Sequence, residues 1–330
     1  MNISTTYMGI KLAGPLVIGA SPLGDDAERA RELVDAGAAA VVMHSLFQEQ
    51  LDADQFSSLY LREMYADSQG PQQGFPDPGA LCAGPDEYLS RIQRIKRAVG
   101  VPVIGSLNGS RPGGWIRYAE HIEQAGADAL ELNLYAFPSD PAVSGMDVER
   151  QMLDIIRMVT ESVRIPVAVK LSPFLSSLPH FAAAAQSAGA AGLILFNQFH
   201  DSQGDGVPHA SGTSDHRGEN SHLQLRLYWL AVLAMHLKAA LAISGGVNSG
   251  EDMFKAVKAG AHVCQVVSAM MYRGPDAARE MLAEFRHRME EHQCRSIEEL
   301  RHRLRFDQMP DPEACERIRY MHALQRQTVV

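Results

Sequence analysis

The chain has 330 residues, of which 46% are hydrophobic and 21% charged, enough for one large domain or two ordinary ones with a sizeable core. Its net charge of −9 gives no electrostatic reason to expect nucleic acid or an acidic membrane surface as a partner. The four cysteines form no paired motif, and the start of the chain lacks the apolar core of a signal peptide. We therefore expect a soluble, cytoplasmic protein that does not associate with a membrane.

Four segments share one layout, in which an amphipathic helical stretch ends in a glycine and a short apolar run follows. The glycines are Gly37, Gly126, Gly189 and Gly260. Each suits the left-handed backbone position just after a helix C-terminus. The nearly continuous apolar runs are typical of parallel strands that are covered on both faces. The repeat therefore predicts successive β/α units.

Counting these units along the chain gives eight strands, each followed by a helical pattern. The predicted strands are 15–20, 39–44, 101–107, 128–134, 165–171, 191–197, 240–245 and 262–267. Eight units predict an α/β protein with a (β/α)₈ TIM barrel. The alternative, a doubly wound sheet, would need a dinucleotide fingerprint that Gly19–Gly24 does not supply. We expect a single domain over residues 1–330, with a C-terminal helical extension from about residue 275 to residue 330.

Two connections, 46–84 after strand two and 198–220 after strand six, are unusually long for this fold. Long loops at the carboxyl face of a barrel usually form lids or pocket walls. The second loop and the residues just after it contain His200, His209, His216 and His222. No two of them have the close helical spacing that would fix two metal ligands on one face, so we predict a polar lid and no metal site.

Polar residues recur at the predicted strand ends, where the site of a barrel lies. Glu131 and Asn133 are two residues apart and therefore face the same side of a strand. Lys170, within Val-Ala-Val-Lys-Leu-Ser-Pro, must be paired or face a ligand, because a buried unpaired ammonium is very costly. Two interpretations remain open: a satisfied polar layer in which Glu131 holds Lys170, or a ligand site.

Strand seven ends in Ile-Ser-Gly-Gly-Val-Asn-Ser-Gly, residues 243–250. The paired glycines Gly245 and Gly246 allow backbone N–H groups to approach a phosphate. A helix that starts at Asn248 or Ser249 would favour an anion at its N-terminus. Because loops seven and eight of barrels commonly bind phosphate, the sequence predicts a phosphate site here.

Five of these motifs, taken in order, resemble those of the dihydroorotate dehydrogenase family. They are Pro15–Ser21, Glu131–Leu134, Val167–Pro173, Gly192–Asn197 and Ile243–Asp252. The resemblance extends over about residues 7–300. It implies an FMN-dependent, cytosolic-class barrel enzyme and flavoprotein, commonly a homodimer. Such an enzyme oxidises a CH–CH bond in dihydroorotate to give orotate, a step of pyrimidine biosynthesis.

The resemblance also implies roles for individual residues at the strand ends. Lys170 would lie by the flavin N1/C2 carbonyl, where a cation stabilises the reduced ring and takes part in catalysis. His44 and Asn197 would bind the substrate. The other implied positions are Ala20 and Ser21 along the flavin ring, Asn108 and Asn133 near the ring or substrate, and Gly245, Gly246 and Ser268 at the FMN phosphate.

The sequence departs from the family where the catalytic base is expected. Ala136 or Phe137 occupies the position of the family's Cys or Ser, and neither accepts a proton. Ser139, the nearest hydroxyl in the loop, is our first choice for the base. The other candidates are Tyr135, Asp140 and His44, which also replaces the family's lysine after strand two.

The family's substrate loop is also altered, since the stretch 78–85 reads Pro-Gly-Ala-Leu-Cys-Ala-Gly-Pro. Its thiol, Cys82, would lie in a lid. These departures leave three alternatives to dihydroorotate oxidation: a flavin oxidoreductase for another small acid, an FMN-binding regulatory barrel without efficient catalysis, or a flavin-free phosphosugar-type barrel.

Overall fold

The computed structural model describes residues 1–51, 85–136, 138–197 and 219–301, with five further positions between 314 and 322. Its strands are β1 (Thr5–Tyr7), β2 (Ile10–Leu12), β3 (Leu16–Ile18), β4 (Val41–Val42), β5 (Leu46–Phe47), β6 (Val103–Gly109), β7 (Ala129–Leu134), β8 (Val167–Leu171), β9 (Gly192–Leu195), β10 (Ala240–Ser244) and β11 (Val263–Val266). From β3 onward the strands are parallel.

Eight of these strands close into a barrel in the order β3, β4, β6, β7, β8, β9, β10, β11 and back to β3. The pairing of β4 with β6, through Val41 opposite Val103, closes the ring on one side. The short β5 continues the line of β4 and pairs with the upper part of β6. The predicted (β/α)₈ barrel is therefore confirmed.

At least one helix follows each strand of the barrel before the next barrel strand or the end of the described region. The helices are α1 (Ala27–Asp35), α2 (Gln48–Leu51), α3 (Pro85–Ala98), α4 (Arg117–Gln124), α5 (Gly145–Ser162), α6 (Leu178–Ser187), α7 (Glu219–His236), α8 (Gly250–Lys258), α9 (Ser268–Arg273), α10 (Pro275–Glu291) and α11 (Ile297–Arg301). The four predicted glycines after α1, α4, α6 and α8 all have positive φ, as their position after a helix requires. Among the described residues no helix is long and apolar enough to span a membrane.

The inside of the barrel is built in layers by the two-residue period of its strands. On β7, the buried Ala129 belongs to an apolar cluster in the lower barrel, and Glu131 and Asn133 follow on the same face toward the carboxyl end. The apolar layer is thus at the bottom and the polar layers are at the mouth. The barrel positions the polar side chains where its site is expected.

The β1–β2 hairpin covers the amino ends of the strands and was not anticipated from the sequence. Tyr7 and Met8, at its turn, join the lower apolar cluster inside the barrel. The contact is so close that a Cβ atom on Gly192 would lie 2.9 Å from Met8 Cγ. The hairpin therefore plugs the barrel and leaves the carboxyl face as the open end.

Most of both long connections lies outside the described residues. Cys82 and the side chains of the four histidines of the second loop lie there as well. The predictions of a lid, and of one domain across all 330 residues, stay predictions.

Candidate active site

A lysine, a glutamate and a glutamine form the floor of the barrel mouth. Lys170 Nζ lies 2.8 Å from Glu131 Oε1, and Gln265 Nε2 donates to Glu131 Oε2 at 2.6 Å. Lys170 Nζ is also 3.5 Å from Gln265 Oε1. All three side chains are buried. The ammonium is therefore balanced by a carboxylate, and the carboxylate is satisfied by two donors.

This floor has a tyrosine beneath it, from the N-terminal hairpin. The Tyr7 ring is fully buried, and its hydroxyl has no hydrogen-bond partner among the described residues. Burial, with a smaller contribution from the negative charge of Glu131, raises the pKa of the Tyr7 phenol well above its ordinary value. The phenol stays neutral, so the only charges of the floor are those of the Lys170–Glu131 pair.

Three asparagines lie above or beside the floor. The strand register places Asn108 opposite Asn133, and Asn133 opposite Lys170, across three neighbouring strands. Asn197, just after β9, donates from Nδ2 to Oδ1 of Asn133. An amide carries two donors and an acceptor with two lone pairs, so this contact leaves hydrogen-bonding capacity on both side chains. The row can bind a flat polar ring by its edge.

The ends of the first two barrel strands bring further polar groups to the mouth. Ala20 is half-buried, and the buried Ser21 donates from Oγ to the carbonyl of Gly19 at 2.9 Å. His44 is exposed, with its backbone N–H on Asp25 Oδ1 and its Nδ1 3.8 Å from Asp25 Oδ2. Asp25 also accepts from Arg91 at 3.3 Å. His44 is therefore held beside an acid that already has a cationic partner.

The loop after β10 has the backbone that the paired glycines predicted. Gly245 and Gly246 have φ of +86° and +77°, a conformation that side chains rarely adopt. Their N–H groups donate to no acceptor among the described residues. The neighbouring loop after β11 begins α9 at the exposed Ser268. The free N–H groups suit an anion.

The N-terminus of α8 is not part of this anion site, contrary to the expectation for Asn248 or Ser249. Asp252 Oδ2 accepts from the backbone N–H groups of both residues at 3.1 Å, within a capping box with Ser249. Glu284 Oε2 accepts from the N–H of Gly250 at 2.7 Å. Carboxylates of the chain itself already occupy these donors, so the anion site is confined to the two glycines and the adjacent loop.

An open cavity of about 500 Å³ lies beside the asparagine row, between the loops after β7 and β8 and helix α5. Its lining includes Tyr135, Ala136 and Asn197, together with Glu149 and the exposed Phe174. Glu149 accepts from the hydroxyl of Ser176 at 2.7 Å, so its carboxylate is hydrogen-bonded to the loop after β8. The cavity offers a mostly apolar wall next to the polar mouth.

The candidate bases fall in different places around this cavity. Tyr135 is half-buried and lines it, and so does Ala136. Ser139 and Asp140 are exposed, and neither is part of the described lining. Phe137 lies outside the described residues. The assignment of Ser139 stays a prediction. Among the candidate bases that the structure describes, Tyr135 is the one that lines the cavity.

Two residues of the mouth were missed by the sequence analysis. Gln265 is a lone polar residue within the apolar run of β11, and the two-residue period would have pointed it inward. Arg226 is buried in α7, its Nε donates to the carbonyl of Ser244 at 2.7 Å, and burial lowers its pKa to about 10. Its Nη2 would be 3.1 Å from a Cβ atom on Gly245, so it lies directly behind the glycine loop.

The fold and the polar mouth place the protein among the (β/α)₈-barrel enzymes, whose sites lie at the carboxyl ends of the strands. Within this class, the family model described as dihydroorotate dehydrogenase matches residues 2–289. The chain belongs to the dihydroorotate dehydrogenase family, as the five sequence motifs indicated.

Curated relatives agree with this membership. The chain is 29% identical over 308 residues to a catalytic subunit of dihydroorotate dehydrogenase B (NAD⁺) from Thermoplasma volcanium, covering 91% of this chain and 97% of that protein. It is 24% identical over 321 residues to the NAD-dependent dihydropyrimidine dehydrogenase subunit PreA of Escherichia coli K12, covering 91% and 76%. It is 23% identical over 332 residues to the chloroplastic dihydropyrimidine dehydrogenase (NADP⁺) of Arabidopsis thaliana, covering 92% and 78%. The protein is thus an oxidoreductase of this dehydrogenase class.

Proposed function

We propose that the protein is an FMN-dependent dehydrogenase that acts on a CH–CH bond of a small cyclic acid, with dihydroorotate as the first candidate substrate. The observation that carries the proposal is the Lys170–Glu131–Gln265 floor beneath the row of asparagines. It combines a fixed positive charge with amides that can bind the edge of a heterocycle.

The residues at the mouth fit a flavin mononucleotide. The N–H groups of Gly245 and Gly246, which have no acceptor in the described part of the chain, suit its phosphate. A Cβ on either glycine would crowd the residues behind the loop. Ser268 would add a hydroxyl from the next loop. Ala20 and Ser21, with small side chains at the end of the first barrel strand, would leave room for the flat ring. Dihydroorotate dehydrogenase family members generally bind flavin, which supports the same assignment.

A bound flavin would supply the hydride acceptor of the reaction. Lys170 would hold a positive charge beside the ring edge, where negative charge increases on reduction. Glu131 and Gln265 would orient the ammonium and balance its charge in a buried setting. Asn133 and Asn197, already paired with each other, would hold the substrate in one orientation.

The proton of the substrate carbon needs an acceptor that Ala136 cannot provide. Ser139 was the first candidate from the sequence. Tyr135, which lines the cavity, is better placed to exchange a proton with a substrate bound near Asn197. We therefore propose Tyr135 as the first group to test and Ser139 as the second. His44 would bind the acidic group of the substrate at the opposite side of the mouth.

A second candidate function is favoured by the altered loop after β7. Ala136 and the apolar wall of the 500 Å³ cavity would suit a related flavin oxidoreductase whose small-acid substrate is not dihydroorotate. The names of the relatives include both dihydroorotate and dihydropyrimidine dehydrogenases. The two candidates share the flavin site and differ only in the substrate.

Anaerobic reduction of the purified protein distinguishes the two candidates. The flavin absorbance band is followed after addition of dihydroorotate, of dihydrouracil as an uncharged ring of the same type, and of dithionite as a control. Bleaching by dihydroorotate and by dithionite, but not by dihydrouracil, supports the first candidate. Bleaching by dithionite but not by dihydroorotate excludes the first and leaves the second. An FMN-binding regulatory barrel would be bleached by dithionite and by no organic acid in an extended panel.

A further inference from the structure

A second cavity, of about 660 Å³, lies at the opposite end of the barrel from the glycine loop of Gly245 and Gly246. Ala191, Ala240 and His262, which line it, stand at or just before the amino ends of β9, β10 and β11. The N-terminal hairpin and the short helix α11 complete its wall. Asn2 fixes these two parts together through a β-bridge with Ser296. The cavity is built from residues near the N-terminus, from the strand starts and from residues 296–301, and none of its lining belongs to the candidate active site.

Two buried donors in this cavity have no partner among the described residues. The Nε atom of Arg301 is buried and makes no hydrogen bond, and the same is true of the Thr5 hydroxyl. Thr5 is more than nine-tenths buried. Arg301 as a whole is half-buried, but a buried Nε–H without an acceptor is costly, and burial lowers the pKa of the guanidinium from its ordinary value. A built site with unsatisfied donors indicates a missing acceptor.

The charge of the cavity points the same way. Its described lining carries three cationic side chains, Lys11, Lys238 and Arg301, against one acid, Glu298. Glu298 raises the pKa of Arg301 but forms no ion pair with it within 4 Å in the described part of the chain. A net positive cavity in a chain of net charge −9 is a local departure from the charge of the whole molecule.

His262 adds a neutral donor to this set. Its Nδ1 accepts from the backbone N–H of Leu241 at 3.0 Å, which assigns the proton of the neutral ring to Nε2. Burial, and secondly the charge of Arg301, keep the ring in that neutral form. Because Nδ1 already accepts a hydrogen bond and Nε2 carries the proton, the ring can donate to an anion and offers no acceptor to the cationic side chains.

We propose that this basal cavity, lined by Thr5, Lys11, Lys238, His262 and Arg301, binds a small oxyanion through the guanidinium of Arg301. The ligand is a small molecule with a phosphate or carboxylate group. Arg301 offers the fork of donors that both groups accept, and the Thr5 hydroxyl and the rim lysines add to it. The site lies on the stability face of the barrel, so its ligand acts as an effector or stabiliser and not as substrate.

The test is equilibrium dialysis of the purified full chain, loaded with one equivalent of FMN so that the loop of Gly245 and Gly246 is filled, against radiolabelled orthophosphate and, separately, radiolabelled succinate at constant ionic strength. We expect saturable binding of one equivalent of at least one probe, with the stronger probe identifying the phosphate or the carboxylate class. Arg301→Gln should weaken binding by at least about tenfold, and Thr5→Val, which removes only the hydroxyl, by a few-fold.

Two control variants locate the site. Arg295→Gln removes an exposed arginine near α11 that is not part of the described lining and should bind the probe as the wild type does. Ser268→Ala, at the loop proposed for the FMN phosphate, should also leave binding unchanged. Loss of binding in Ser268→Ala but not in Arg301→Gln would place the anion at the other mouth and overturn the proposal.

Thermal melting separates a ligand role from a structural one. Because Arg301 loses no hydrogen bond on substitution, Arg301→Gln should melt as the wild type does without anion and should lose the rise in melting temperature that the anion gives. A lower melting temperature with unchanged anion affinity would contradict the proposal, as would the absence of saturable binding in the wild type. If Arg301→Gln does not fold, the test uses Thr5→Val alone, and its anion affinity and its rise in melting temperature with the anion are compared with those of the wild type.

Discussion

Lys170 and Glu131 form a buried ion pair whose two members depend on each other. With Lys170 absent, the Glu131 carboxylate would keep, among the residues that the structure describes, only the amide of Gln265 as a donor. Breaking such a pair by removing one partner typically costs about 3–5 kcal/mol of unfolding free energy, because a charge remains buried without compensation. The pair is thus a structural element as well as the proposed source of positive charge.

We predict that Lys170→Ala lowers the free energy of unfolding by about 3–5 kcal/mol and severely slows flavin reduction. The double variant Lys170→Met with Glu131→Gln should recover part of the stability, because no charge stays buried, and none of the reduction rate. Urea unfolding and stopped-flow absorbance measure the two effects. Reduction at the wild-type rate in either variant would count against the role of Lys170.

Tyr135 and Ser139 offer a matched pair of hydroxyls in one loop, one lining the cavity and one exposed outside it. We predict that Tyr135→Phe slows the step that needs proton transfer by about a hundredfold or more, and that Ser139→Ala has little effect. The measurement is the rate of substrate-dependent flavin reduction, with dithionite reduction as the control. The reverse order of effects would restore Ser139 as the base.

His262 has a pKa lowered to about 4 from 6.5, first by burial and then by the charge of Arg301. The unfolded chain therefore binds the proton first as the pH falls. The neutral ring contributes stability that is complete above about pH 6.5 and is lost between about pH 6.5 and 4, up to about 3 kcal/mol. His262→Asn should flatten this part of the curve of unfolding free energy against pH. A curve with the wild-type slope in the variant would contradict the assignment.

At the scale of elements, the glycine loop after β10 allows a comparison with a glycine of similar backbone elsewhere. Gly245 and Gly126 have φ of +86° and +97°, but a Cβ would meet Arg226 at Gly245 and nothing within 4 Å at Gly126. We predict that both alanine variants lose about 1–2 kcal/mol of stability from left-handed strain. Only Gly245→Ala should also release FMN more readily, as a flavin fluorescence titration would show. Equal retention of FMN in both variants would argue against the phosphate assignment.

The elements that the sequence could predict are those that repeat. A glycine after each of four helices and an apolar run after each glycine identified the β/α units. In each unit the helix ends in a left-handed residue, and a strand that is covered on both faces follows. The three-residue strands of the N-terminal hairpin are too short to produce a period of their own. Only their packing into the barrel base, through Tyr7 and Met8, gives them a role.

The positions of those site residues whose side-chain direction depends on one strand alone could be predicted from the sequence. The period of two places Glu131 and Asn133 on one face of β7, and the polar strand ends follow from the barrel. Contacts between distant segments were not predictable, such as Gln265 with Glu131 or Arg226 with Ser244. The capping of α8 by Asp252 could have been foreseen, since Ser249 and Asp252 have the spacing of a capping box.

Across the whole molecule, the two ends of the barrel differ in the groups that they present. The carboxyl end holds the polar floor, the amide row and the glycine loop, and the amino end is closed by the hairpin and holds the basal cavity. The apolar layer between them contains no charged side chain among the described residues that form it. Ligands at the two ends would therefore not contact each other directly.

We have proposed that the mouth of this barrel binds FMN. The most direct measurement is the absorbance spectrum of the purified protein, with identification of the released cofactor and its ratio to the chain. We predict a yellow protein that carries one FMN per chain or takes it up from solution to that ratio. A colourless protein that binds no FMN when supplied with an excess would show that the mouth of the barrel is not an FMN site.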